Sequence, residues 1–257
     1  MDLKKHHYLP VVICVLYIAG CATNDKQYAP ISLISENTNP LSAKDSVLKK
    51  YESAIGSLEQ SMINAGLVNI KEVDSSIVVQ LKYSSTDNFM GTDVYGNLEN
   101  CYLQKEVAAK LVLAQMLLKS KFPYYSLIVY DGARPRKVQQ VMWDIVKVAP
   151  GEKTKYLSSP LFGSLHNFGA AVDLSIVDAE GREIDMGTKF DYFGELAYPE
   201  KEEQMLKEGR LSGKQVENRK LLRNCMIQAG FSPLETEWWH FNSCSRSTAA
   251  EQYQMIE

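Results

Sequence analysis

The chain has 257 residues, 45% of them hydrophobic and 23% charged, with a formal net charge of −3. That length suits one substantial domain, or one domain with a helical lead-in, and the mild acidity without a basic stripe gives no footing for nucleic acid. None of the five cysteines forms a C-x-x-C pair, so no cysteine motif competes with histidine for a metal.

The chain opens with the three parts of an export leader. Lys4 and Lys5 supply positive charge, Tyr8 to Ile18 form an apolar run too short to span a bilayer comfortably, and Ala19 and Gly20 precede Cys21. Ile18-Ala19-Gly20-Cys21 resembles the bacterial lipobox. The resemblance implies a signal peptide over residues 1–20 and lipid on Cys21. Ala22 in place of Asp then implies the outer membrane, with the protein facing the periplasm. An ordinary signal peptide is the alternative. Residues 21–41, rich in Asn, Ser, Thr and Pro, read as a flexible tether.

A helical lead-in over 42–69 follows, with Val47, Tyr51, Ile55, Leu58 and Met62 at helical spacing and Gly66 closing it. Residues 70–257 read as the main domain. Ile77 to Tyr83 predicts a strand, Lys105 to Lys121 an amphipathic helix, and Ser126 to Tyr130 a short apolar strand. Pro135 suits the first turn of a helix reaching Lys147, where its missing N–H is harmless. A polar loop over 150–162 leads to a hairpin with arms Ala170 to Val177 and Arg182 to Met186. Lys214 to Ala229 predicts a helix ended by Gly230, and Glu237 to Asn242 a last strand. Strands and helices do not alternate regularly. The fold class is therefore α+β: a small, mostly antiparallel sheet with flanking helices and a metal site in a cleft on the sheet.

Of four histidines, His6 and His7 leave with the leader, so the mature chain keeps His166 and His240. Each has acidic company: Asp173 follows His166 in Ser164-Leu-His-Asn-Phe-Gly-Ala-Ala-Val-Asp173, and Glu237 precedes His240 in Glu237-Trp-Trp-His-Phe241. Two imidazoles and one carboxylate leave a corner of a tetrahedral zinc site open, the catalytic arrangement. On a straight strand His166 and Asp173 would face opposite ways, so the chain must bend, most easily at Gly169. Glu237 is placed to take a proton from water, or else to orient an imidazole from behind. Arg134, at the junction of a strand and a Pro-led helix, is placed to hold an oxyanion, or else pairs at the surface with Asp131.

Together these segments resemble the D-alanyl-D-alanine dipeptidase family of zinc peptidases, relatives of the D,D-carboxypeptidases and of the Hedgehog-type zinc domain. Leu81-Lys-Tyr-Ser-Ser-Thr-Asp-Asn-Phe-Met-Gly91 looks like the family's N-terminal signature, and Asp131-Gly-Ala-Arg-Pro135 like its Asp-Gly-Tyr-Arg-Pro segment with Ala for Tyr. The two histidine segments match its metal and base motifs. The resemblance implies one Zn(2+) per chain on His166, Asp173 and His240, with Glu237 as general base and Arg134 stabilising the tetrahedral intermediate. It also gives Ser164 to the substrate backbone and Asp191, in Met186-Gly-Thr-Lys-Phe-Asp191, to the substrate's free ammonium. Tyr83 lines that pocket or packs in the core.

The function expected is hydrolysis of D-Ala-D-Ala to two D-alanines. The partner is a small dipeptide, nucleic acid is excluded, and contact with membrane is through the lipid alone. Three alternatives stay open: a D,D-carboxypeptidase or endopeptidase acting on peptidoglycan peptides, a non-haem iron oxygenase using the same ligand types, and a zinc-stabilised wall-binding module without activity. Oligomeric state is not fixed by the sequence.

Overall fold

Two central strands set the frame. In this computed structural model, which describes residues 45–49, 58–149 and 151–257, β4 (Ser126–Asp131) and β5 (Ala171–Val177) pair antiparallel. Every residue of β5 is buried, as expected of a strand covered on both faces. They lie inside a five-stranded sheet of order β2-β4-β5-β7-β6, with β2 at Val78–Val79, β6 at Ser232–Leu234 and β7 at Glu237–Asn242. Only β2 runs parallel to its neighbour, β4. A second, two-stranded ribbon joins β1 (Val68–Asn69) to β3 (Tyr102–Leu103).

Helices flank this sheet. Of the expected lead-in, residues 45–49 are helical and α1 (Leu58–Asn64) is its end; the leader, Cys21 and the tether lie outside the described residues. A single turn, α2 (Ile70–Val73), links the ribbon to β2. The helix expected at Lys105 to Lys121 is α3, with those bounds, and buries Val107, Leu111, Ala114 and Leu118 along one stripe. Pro135 sits at the N-cap of α4 (Arg136–Ile145), whose Val138, Val141, Met142 and Ile145 enter the core. Near the C-terminal end, α6 (Gly213–Gln228) opens with a reciprocal Ser212–Gln215 cap and is closed by Gly230 at φ 89°. It packs against α3, so these two helices cover the sheet together.

The α+β class and the mostly antiparallel sheet hold, with four differences of detail. The strand expected over 77–83 shortens to Val78–Val79 because the chain turns into a 3-10 segment, Lys82–Ser84, that drives Tyr83 inward. The second hairpin arm reduces to a bridge between Val177 and Glu183 plus the Ile184 N–H on the Ile176 carbonyl, after which the chain leaves the sheet. The charged stretch 200–219, which the sequence leaves open as a cap on the cleft or a solvated helix, holds a short helix, α5 (Glu202–Lys207), built around a buried Glu202 that hydrophobic spacing does not reveal. Both β6, an edge strand that tolerates Pro233, and α7 (Arg246–Gln252) are too short for their periodicity to register. Cys101, Cys225 and Cys244 are free thiols.

Candidate active site

The sheet register lines up a row of polar side chains. Asp131 on β4 pairs with Asp173 on β5, and Asp173 pairs with His240 on β7. A register shift between Val129 and Asp131 lets Asp131 join the row. His166 arrives from outside the sheet, on the 3-10 turn Leu165–Phe168 that precedes β5. That turn closes at Gly169 with φ 64°, which is the bend the spacing of His166 and Asp173 requires. A side chain at Gly169 would also place its Cβ 2.8 Å from Leu67 Cδ2.

One ligand atom from each of His166, Asp173 and His240 falls within 4.8 Å of the others. His166 Nε2 is 3.2 Å from His240 Nδ1 and 3.5 Å from Asp173 Oδ2, and His240 Nδ1 is 2.9 Å from Asp173 Oδ1. The opposite ring nitrogens are occupied by oxygen acceptors. His166 Nδ1 faces the Gly132 carbonyl at 2.7 Å, and His240 Nε2 faces Asn242 Oδ1 at 2.8 Å. Each acceptor takes the ring's N–H and leaves the lone pair of the other nitrogen turned inward, the arrangement metal-binding histidines use. This donor chemistry fits a divalent cation of the zinc type.

The charge balance points the same way. Burial alone would raise Asp173, but facing His166 and His240 hold its carboxyl well below the ordinary range. Burial also opposes a charged His240, yet Asp173 and Glu237 lift it to about 9. Carboxylates gathered here ask for a positive partner, which a cation would supply in place of a proton.

Around this cluster lies a cleft of about 380 Å³ lined by the other expected residues, Glu237, Arg134, Ser164, Asp191 and Tyr83. Glu237 and His240 are three apart on β7 and would face opposite ways on a regular strand. The β6–β7 register breaks there, with Pro233 opposite Phe241 but Leu234 opposite Glu237, and both side chains reach the cleft. Glu237 Oε2 stands 3.9 Å from His240 Nδ1, with 29% of its side chain exposed. Burial, then Asp173, raises its carboxyl despite the counter-pull of His240 and Arg134. Trp239 forms cleft wall, whereas Trp238 donates its Nε1–H to Thr188 Oγ1 at 2.7 Å on the other face.

Arg134 is buried, at 5% exposure, rather than at the surface. It does pair with Asp131, through Nε at 3.0 Å and through Nη2, while Nη1 donates to Gln139 Oε1 at 3.0 Å. Its guanidinium lies 4.9 Å from the centre of the Tyr83 ring, and Nη2 is 4.0 Å from Asp173 Oδ2. Tyr83 points its hydroxyl at both carboxyl oxygens of Asp191, each at 3.2 Å. It is thus both a packed residue and a cleft residue. Asp191 is at φ 59°, the one non-glycine residue with positive φ among those described. Burial first, then Asp173 and Glu237, raises its carboxyl well above the usual range. Ser164 lines the cleft from the N-cap of the His166 turn, its N–H donating to Asn167 Oδ1 at 2.6 Å.

Sequence reasoning offered Asp131 as a partner of Arg134 only at the surface, and it missed the other supports of this site. Asp131 is fully buried and takes the Tyr95 hydroxyl at 2.6 Å as well as Arg134, so it fixes the guanidinium. Gln139 completes that hold, and Asn242 orients His240. The signal for Asn242 was present: two residues beyond His240 on a strand, it must share its face. Gly132 left no side-chain signal, since its carbonyl does the work.

Residues 63–256 match the family described as D-ala-D-ala dipeptidase, of the M15 peptidases. The D-alanyl-D-alanine dipeptidase of Escherichia coli (strain K12) is 30% identical over 175 residues, which cover 68% of this chain and 83% of that protein. The protein of the same name from Enterococcus faecium is 27% identical over 194 residues, covering 68% of this chain and 90% of its own. That of Synechocystis is 28% identical over 168 residues, covering 54% and 68%. A match across three quarters of the chain, on a site with this donor set, makes the chain a member of the D-Ala-D-Ala dipeptidase family of M15 metallopeptidases.

Proposed function

We propose that this metallopeptidase hydrolyses free D-Ala-D-Ala to two D-alanines with one zinc ion, from a lipid anchor on the outer membrane. The observation behind this reading is one cleft that unites three side chains able to hold a metal, a carboxylate beside them, a buried guanidinium and a separate Asp191–Tyr83 hydrogen-bonded pair. His166, Asp173 and His240 would hold the ion. Zinc bound there supplies Lewis acidity, lowering the pKa of water to about 7 and polarising a carbonyl.

The chain's own groups do the rest. Asp191 and Tyr83 take the substrate's ammonium: the charged amine restores the carboxylate that burial disfavours, and the phenol fixes its direction. A peptide acylated at that nitrogen leaves the half-buried Asp191 without a charged partner, which costs affinity. Ser164 holds the substrate backbone. Glu237 accepts a proton from the attacking water, and its raised pKa suits it to return that proton to the departing amine of the second D-alanine. Arg134, held by Asp131 and Gln139, presents a fixed positive charge to the oxyanion as the carbonyl becomes tetrahedral.

Incubating the purified, metal-loaded protein with D-Ala-D-Ala, L-Ala-L-Ala and N-acetyl-D-Ala-D-Ala, and measuring released alanine, tests this reading. The free D,D-dipeptide should be consumed fastest. Preference for the acetylated peptide would make the protein a D,D-carboxypeptidase instead, and binding without released amine would make it a wall-binding module. The anchor rests on the leader pattern ending at Cys21. Palmitate labelling that survives Cys21→Ser would remove it.

A further inference from the structure

Asp191, the ammonium anchor in the reading above, sits on a loop that belongs to neither strand nor helix, yet its backbone is held at φ 59°. The segment leading to it is pinned by one face of α6. Asn218 Nδ2 donates to the Asp185 carbonyl at 2.8 Å, Arg219 Nε to the Met186 carbonyl at 2.6 Å, and Gln215 Nε2 to Asp185 Oδ2 at 2.8 Å. Gly187, at φ 84°, lies so close that a Cβ there would meet Leu211 Cδ2 at 2.5 Å and Gln215 Cδ at 3.2 Å. On the other side Trp238, the neighbour of Glu237, donates to Thr188 Oγ1 at 2.7 Å. Asp191 follows Thr188 by three residues, a span of at most about 11 Å.

Arg219 is the least expected member of this clamp. It is 1% exposed, and its Nη1 and Nη2 have no hydrogen-bond partner among the described residues. Its nearest carboxylate, Glu202 at 3.9 Å, is already engaged by both terminal nitrogens of Arg223 at 3.0 and 2.6 Å. A guanidinium buried at this cost makes its one hydrogen bond to the loop carbonyl of Met186 and lies 5.8 Å from the Trp238 ring. Fold stability alone would be served as well by an apolar side chain of the same volume.

We infer that Asn218 and Arg219 on α6 are positioning residues for Asp191, setting how tightly the enzyme grips the free ammonium of its dipeptide. The inference rests on Asp191 as that anchor, and steady-state kinetics on D-Ala-D-Ala separates the two. The variants are Asn218→Ala, Arg219→Met, Asp191→Ala and the double variant Asp191→Ala/Asn218→Ala, each checked for a cooperative melt. Asn218→Ala should raise KM about fivefold, the scale of one lost hydrogen bond, and leave kcat within about twofold. Arg219→Met should act in the same direction. In the Asp191→Ala background the Asn218 substitution should add nothing to KM, since it acts through that carboxylate.

A residue that merely supports the fold would lower the melting temperature and the active fraction without moving KM. An unchanged KM in Asn218→Ala, beside a raised KM in Asp191→Ala, would overturn the clamp and leave the anchor standing. An equal rise in KM with or without Asp191 would overturn it too. If Asp191→Ala itself leaves KM unmoved, the anchor is wrong and the clamp falls with it. Should Arg219→Met fail to fold, Asn218→Ala decides alone.

Discussion

The two halves of the cleft are built on opposite principles. Two of the three proposed metal ligands stand on a sheet register, while His166 reaches them from the turn before β5: Asp173 and His240 face each other across β5 and β7, and Asp131 extends the row to β4. The half proposed to bind the amine centres on a loop residue, Asp191, which takes a hydrogen bond from the Tyr83 phenol and follows a segment bonded to α6. Sheet positions are fixed by backbone pairing that also builds the core, so the ligand geometry comes with folding. A loop position needs its own hold. Asp173, Glu237 and His240 therefore sit on strands, where little displacement is possible, and the proposed recognition residue Asp191 sits where the backbone can be adjusted.

The steepest break in that comparison comes from Glu237. Glu237→Ala should lower kcat by about 10²–10⁴-fold, the usual worth of a positioned acid–base group, with metal content unchanged. Turnover that survives would remove it as the base. Arg134 is next. Arg134→Ala should cost about 10²–10³-fold in kcat. It should also destabilise the fold by about 3–5 kcal/mol, because fully buried Asp131 loses its charged partner. Urea unfolding reads the second effect; a loss of activity without it would mean the Asp131 pair is not structural.

Asn242→Ala sharpens the account of the sheet half. It removes the acceptor that turns His240, and metal affinity measured by chelator competition should fall about 10- to 100-fold. Unchanged affinity would show that register alone aims the ring. The smallest effect belongs to Gly169→Ala, which forces a side chain into the left-handed region against Leu67 and should cost about 1–2 kcal/mol by thermal unfolding. A neutral result would mean the bend between His166 and Asp173 can be made another way.

The half proposed to hold the metal was also the legible half. His166, Asp173, Glu237 and His240 stand out because imidazoles are scarce and each has an acidic neighbour in short reach along the chain. Even the bend at Gly169 follows from counting strand parity. Irregularities were not legible: the β6–β7 register break that brings Glu237 beside His240 leaves no periodic trace, and neither does a carbonyl such as that of Gly132. The stretch 200–219 reads equally as a cap on the cleft or as a solvated helix, although Glu202 and Arg219 are among its most buried residues. Charge alone says exposed; only tertiary partners say otherwise. Asp191 was found through resemblance to a family segment, and nothing in its local sequence predicts a positive φ.

Elemental analysis of protein purified without added metal tests the centre of the account. It predicts about one zinc per chain, retained in Glu237→Ala and lost in both His166→Ala and His240→Ala. Iron in place of zinc, or the same zinc content after either histidine is removed, would contradict it.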